Sequence, residues 1–262
     1  MNQFIDHSVD FASFEAEILE TQNALLAATA DLTSPLGELV RAQIKRAYPP
    51  IRAAVVLAVA RPEKDAAKDT VEDEASRHKR ILLASALEML HVALNVHRLL
   101  INAAMNEHNS NTPLDRSFVG STILAGDYCF SRAAQMAAQT EHPRVVSIFA
   151  LALQNVSERL LREQFTRSND MAQTPANDAN NRDANNNYDE THELLHSGSQ
   201  AAAALVELSE AGEQEAIRLS EELATRWKLG APGLIASDGQ FNKWAETLPS
   251  RWQALYHWLA RQ

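Results

Sequence analysis

Residues 85–104, SALEMLHVALNVHRLLINAA, contain no glycine, no proline and no acid beyond Glu88. Leu87, Leu90, Leu94 and Ile101 follow one another at steps of three, four and seven, the period of a single helical face. A helix this apolar has to be covered by other elements, so it commits the chain to a layered core. Through its apolar surface runs a polar stripe of His91, Asn95, Arg98 and Asn102, spaced four, three and four. A guanidinium on a mostly buried helix requires an acid, a carbonyl cage, an anion or water, because desolvating an unpaired charge is costly. Asp127, in a second apolar stretch, is a candidate partner. The stripe implies a cavity, an interface or a hydrogen-bonded polar layer within the core.

The rest of the chain supplies only helices to cover it. Glycine and proline are sparse, with 8 and 9 in 262 residues, and no alternating strand pattern emerges. Helical periodicity predicts helices over residues 12–29, 34–47, 50–61, 73–107, 116–140, 143–168, 188–208, 211–229 and 240–260. Ser34 is the expected N-cap of the second, with Pro35 in its first turn, and Thr112 caps the fifth. The expected class is all-α, in one domain spanning residues 1–262. Residues 168–187, SNDMAQTPANDANNRDANNN, hold almost no large apolar side chain, and are expected to form a mobile surface loop.

Charge and cysteine content narrow the functional classes. A formal net charge of −10 opposes nucleic-acid binding, which needs a basic face. The basic run RAQIKR, Arg41–Arg46, reads as a solvated helix face. The single cysteine, Cys129, excludes an internal disulfide and fits a reducing cytoplasm, where it is read as a small buried hydrophobe. No run of about eighteen apolar residues predicts a membrane span, and the acidic N-terminus does not resemble a signal peptide.

Two metal-binding patterns occur. HELLH, residues 192–196, places His192 and His196 one turn apart on a helix, with Glu193 available as general base of a zinc hydrolase. Glu213, Glu215 and Glu221 are the nearest candidates for a third ligand, but the β-sheet that normally holds a peptide substrate is not predicted. Glu88–His91 and Glu193–His196 are also two Glu-x-x-His steps, which with Glu158 and either Glu17 or Glu20 would build a di-iron site. Short spacings of this kind arise readily on glutamate-rich helices. The simpler reading is of ordinary polar positions, with no bound metal.

The order of segments resembles the trans-isoprenyl diphosphate synthases. Leu124, Ala125, Gly126, Asp127 and Tyr128 look like that family's Leu-Ala-Gly-Asp-Tyr helix, and Glu88, His91 and His97 match the helix leading to its first aspartate-rich motif. The three aspartate positions of that motif hold Arg98, Leu99 and Asn102. Arg52 falls on the second arginine of the Gly-Lys-Arg-x-Arg-Pro segment, where Pro49 and Pro50 replace the lysine and first arginine. In the second aspartate-rich motif only Asp238 survives, with Ser237 and Phe241 in the other acidic positions, and the Lys-Thr pair is missing.

The resemblance implies a helical bundle around a central cavity, with His91, Asn95, Arg98, Asn102, Asp127 and Arg52 lining it. It also implies a family reaction in which Mg²⁺ on the two aspartate motifs grips an allylic diphosphate. Here those ligands are replaced, so no Mg²⁺ and no prenyl transfer are expected. The implied role is a non-catalytic or regulatory subunit of a polyprenyl diphosphate synthase, acting with a catalytic subunit or as a homodimer. Two alternatives are a protein that holds an isoprenoid or other lipid in the apolar shaft, and the zinc hydrolase of residues 192–196.

Overall fold

The computed structural model describes residues 7–61, 73–110, 116–173, 190–229, 250–259 and 261. Helices α1 (His7–Ala28), α2 (Leu36–Arg46), α3 (Ile51–Val59), α4 (Glu74–Ser110), α5 (Arg116–Gln139), α6 (Pro143–Gln173), α7 (Glu190–Leu205), α8 (Glu210–Leu229) and α9 (Ser250–Leu259) make up the described chain, which contains no strand.

The bundle is organised around α3. Every residue from Ile51 to Ala60 is buried, as expected of a helix that is apolar on all sides but for Arg52. It packs against α1, α4, α7 and α9. The Leu83–Val96 stretch of α4 forms the adjoining layer, with Leu87, Leu90, Ala93 and Leu94 all buried. Small residues on α7 allow close packing here: a Cβ at Gly198 would lie 2.8 Å from Leu87 Cδ1. Helix α5 lies along α4, while α6 and α8 flank α7.

A buried ion pair ties three of these helices together. Arg80 on α4 donates from Nε and Nη2 to the two carboxylate oxygens of Glu17 on α1, at 3.1 and 3.0 Å. Its Nη1 donates to the Ala60 carbonyl at the end of α3, at 3.3 Å. The fork geometry of the guanidinium satisfies the carboxylate and a helix-terminal carbonyl together.

Several expectations need correction. Ser34 does not cap α2: the helix starts at Leu36, with Pro35 at the cap position and no side-chain cap hydrogen bond. Part of the expected loop is helical, because α6 continues to Gln173. Residues 174–187 of that loop lie outside the described residues, as do Thr112 and residues 240–249 of the last expected helix.

Candidate functional site

Three helices bring together a polar cluster whose centre is a residue the sequence did not single out. On α3, Arg52 donates from Nε to Glu88 Oε2 of α4 at 3.2 Å, and the Ala53 backbone N–H donates to Glu88 Oε1 at 3.0 Å. One turn along α4, Asn95 Nδ2 lies 3.0 Å from His91 Nε2. With the amide as donor, His91 carries its proton on Nδ1. That atom is 2.7 Å from Glu190 Oε1, at the start of α7. The other oxygen, Oε2, is 2.6 Å from Arg98 Nη2. The close approach of the His91 Nδ1–H and the charge of Arg98 hold the carboxylate in place.

The protonation states follow from these neighbours. Burial pushes the His91 imidazole below its usual pKa, and the nearby Arg52 cation acts in the same direction. Glu190 and Glu88 oppose this without cancelling it, so His91 is neutral at pH 7. For Glu190, burial favours the protonated form, but His91, Arg98 and Arg52 outweigh it and hold the carboxyl below its usual range. The cluster therefore contains two cations, Arg52 and Arg98, and two anions, Glu88 and Glu190, and is charge-neutral without any ligand.

The expected lining set is only partly assembled. Arg52, His91, Asn95 and Arg98 come together, but Asp127 does not meet Arg98. Its carboxylate is 62% exposed and lies 3.4 Å from His97 Nε2. His97 stacks on Phe130 with ring centroids 5.0 Å apart and covers Gly126, where a Cβ would lie 2.3 Å from the imidazole Cε1. Tyr128 of the same stretch donates its hydroxyl to the Ala28 carbonyl at 2.9 Å. The Leu-Ala-Gly-Asp-Tyr match is thus a packing element between α4, α5 and α1. Leu99 is partly buried and offers no ligand. The Asn102 side chain and residues Ser237, Asp238 and Phe241 lie outside the described residues.

The metal patterns do not converge. Among the described residues, no group of three or more His, Cys, Asp or Glu is arranged to hold an ion. His192 is exposed; Glu193 accepts from Asn155 Nδ2 at 2.9 Å, and His196 Nδ1 lies 2.9 Å from Glu221 Oε1. Glu213 is engaged by Arg144. The proposed di-iron ligands are likewise taken: Glu17 by Arg80, Glu20 by Arg77, Glu88 by Arg52 and Glu158 by Arg162. The two carboxylates of the cluster, Glu88 and Glu190, are each paired with a cation, Arg52 and Arg98.

Glu190 could have been suspected from sequence as the first acid of a helix that follows a long polar segment. Acids favour that position because of the partial positive charge at a helix N-terminus. Its pairing with α4 depends on how α7 crosses the bundle, which no local pattern encodes.

Comparison with solved structures gives this architecture its context. The geranylgeranyl pyrophosphate synthase of Lactobacillus brevis, in complex with citrate, superimposes with a TM-score of 0.60 at 17% identity, over 92% of this chain and 71% of that one. The decaprenyl diphosphate synthase of Rhodobacter capsulatus gives 0.56 at 17% identity, over 97% and 84%. The geranylgeranyl pyrophosphate synthase of Bacteroides thetaiotaomicron gives 0.52 at 18% identity, over 95% and 80%. No protein-family model and no curated protein sequence matches the chain. No described helix is long and apolar enough to cross a membrane. With its helix order, its buried central helix and these superpositions, the chain has the all-α fold of the trans-isoprenyl diphosphate synthases.

Proposed function

We propose that this chain is a non-catalytic, isoprenyl-synthase-like subunit that modulates a catalytic polyprenyl diphosphate synthase. The observation that carries the reading is Arg98. It stands where the resemblance puts the first metal-binding aspartate, and its charge is neutralised by Glu190 of the same chain. A cation at this point repels Mg²⁺, and the carboxylate beside it occupies the space in which a diphosphate would need positive charge. With neither ion recruited, the allylic leaving group is not stabilised and prenyl transfer does not start.

A surface suited to a partner supports the same reading. Helices α5 and α6 leave Leu124, Leu151 and Leu161 more than half exposed. These are large apolar side chains that association would cover. The partner is a motif-complete synthase subunit in the cytoplasm, or a second copy of this chain.

The test has two parts. Purified alone, the protein should not condense an allylic diphosphate with isopentenyl diphosphate in the presence of Mg²⁺. Added to a cognate catalytic synthase, it should copurify with it and change its rate or product length. Turnover by the isolated chain at about one per second or faster would refute the reading. Elemental analysis should find no stoichiometric zinc or iron; one zinc per chain, lost on His196→Ala, would favour a hydrolase instead.

A further inference from the structure

A cavity of about 270 Å³ lies between α1, α2 and α4. Its wall is largely apolar: Leu25 and Val92 are buried and Ile44 is partly so, while Gln22 and the buried Glu88, whose two oxygens accept from Arg52 and the Ala53 N–H, also line it. At its mouth Leu26 is 43% exposed, beside the exposed Lys45 on the last turn of α2. The Lys45 ammonium makes no ion pair or hydrogen bond among the described residues. It belongs to the basic run Arg41–Arg46, which the polar cluster does not use.

We infer that this cavity is a binding site for a small amphipathic anion, with its apolar tail between Leu25, Ile44 and Val92 and its head group at Lys45. Three features of the molecule converge on this ligand class. The wall composition selects hydrocarbon, since the deep part offers an incoming polar group few partners. The volume sets the length: at about 30 Å³ for each water-sized group, the space holds on the order of ten such groups. A solvated ammonium at the mouth selects an anion, carboxylate or phosphate alike, because Lys acts as a point charge without bidentate geometry. The cavity also reaches Glu88, whose carboxylate holds Arg52. Occupancy is thereby placed next to the polar cluster, though the inference does not depend on the role proposed for that cluster.

The test is equilibrium dialysis of the full chain against labelled decanoate, decyl phosphate and decanol, below their aggregation concentrations. Both anions should bind saturably at one site per chain, and decanol at least tenfold more weakly. Lys45→Glu should weaken both anions about tenfold or more, while Arg46→Glu, on the same turn but not lining the cavity, should leave them within twofold. Ala47→Trp, which fills the cavity from its wall, should abolish binding while circular dichroism remains helical. Should Ala47→Trp fail to fold, the contrast between Lys45→Glu and Arg46→Glu decides, both being surface positions. A preference for one anion identifies the head group within the class. Non-saturable uptake, decanol binding as tightly as the anions, or equal affinities in the two charge-reversal variants would each overturn the inference.

Discussion

Arg98 of α4 and Glu190 of α7 meet at 2.6 Å, so the charge on the helix that opened the sequence is neutralised from another helix of the same chain. Removing the acid should expose what it hides. Glu190→Ala leaves Arg98 without its anion and should destabilise the fold. The cost should be about 2–3 kcal/mol, toward the low end for breaking a buried pair because Arg98 is one-third exposed. The same variant should bind inorganic pyrophosphate without Mg²⁺, detectable by calorimetry, whereas the unmodified chain should not. If the two bind alike, Glu190 is not what keeps anions out.

Installing aspartates should not recover catalysis. Arg98→Asp with Leu99→Asp exchanges the cation at Glu190 for a carboxylate, and like charges there raise one another's pKa instead of forming a ready metal site. The double variant should remain inactive in a Mg²⁺ condensation assay and be less stable than the parent by chemical denaturation.

Acidification should weaken the protein in two stages. The folded pKa of His91 is depressed, so below the unfolded value of about 6.5 the unfolded chain binds more protons and stability falls with pH. The folded pKa of Glu190 is also depressed. Its contribution is present above the unfolded value of about 4.3 and is lost as the pH falls through the folded one. Urea midpoints measured from pH 8 to pH 4 should therefore decline first near neutrality and again below about pH 4.5. His91→Gln should flatten the first stage only. An unchanged slope between pH 7 and pH 5 in that variant would remove His91 from the account.

Gly126→Ala should cost about 1–3 kcal/mol, the range for overpacking, because its Cβ would enter the His97 ring. In a His97→Ala background the same substitution should be close to neutral. A double-mutant cycle with coupling below about 0.5 kcal/mol would show that the close approach is not limiting.

The buried fork at the other end of α4 makes the complementary case. Arg80→Ala should cost about 3 kcal/mol, the low end for breaking a buried pair, because Glu17 loses its two-point partner and keeps only Arg77 at 4.0 Å. Arg80→Met combined with Glu17→Leu should recover most of it, as measured by denaturant midpoint.

Much of the helical layout is visible in the chain because helices announce themselves locally. The helix expected over residues 50–61, apolar but for Arg52, is α3, and the structure buries it whole. The three-and-four spacing from Leu87 to Ile101 placed α4. The cluster was legible on one side only. Arg98 plainly required an anion, and Asp127 was a reasonable choice because α5 does pack on α4. However, successive residues on a helix point about 100° apart, and Asp127 meets His97 instead of its neighbour. Glu190 was out of reach because it joins the cluster through the tertiary crossing of α7. The HELLH spacing places two histidines one turn apart on α7, and Glu221, one of the acids considered beside it, does meet His196; the partner of Glu193, Asn155 on α6, is set by the tertiary packing and has no local signal.

The imidazole resting on Gly126 has a consequence for how chains of this kind are grouped. The five-residue stretch around that glycine is the part most like a working synthase, and its task is mechanical: it sets how closely two helices approach. Sorting sequences by that stretch would group them by helix spacing, whatever they catalyse. Arg98, whose charge is met by Glu190 of the same chain, is the next residue after His97 along α4, and it points another way.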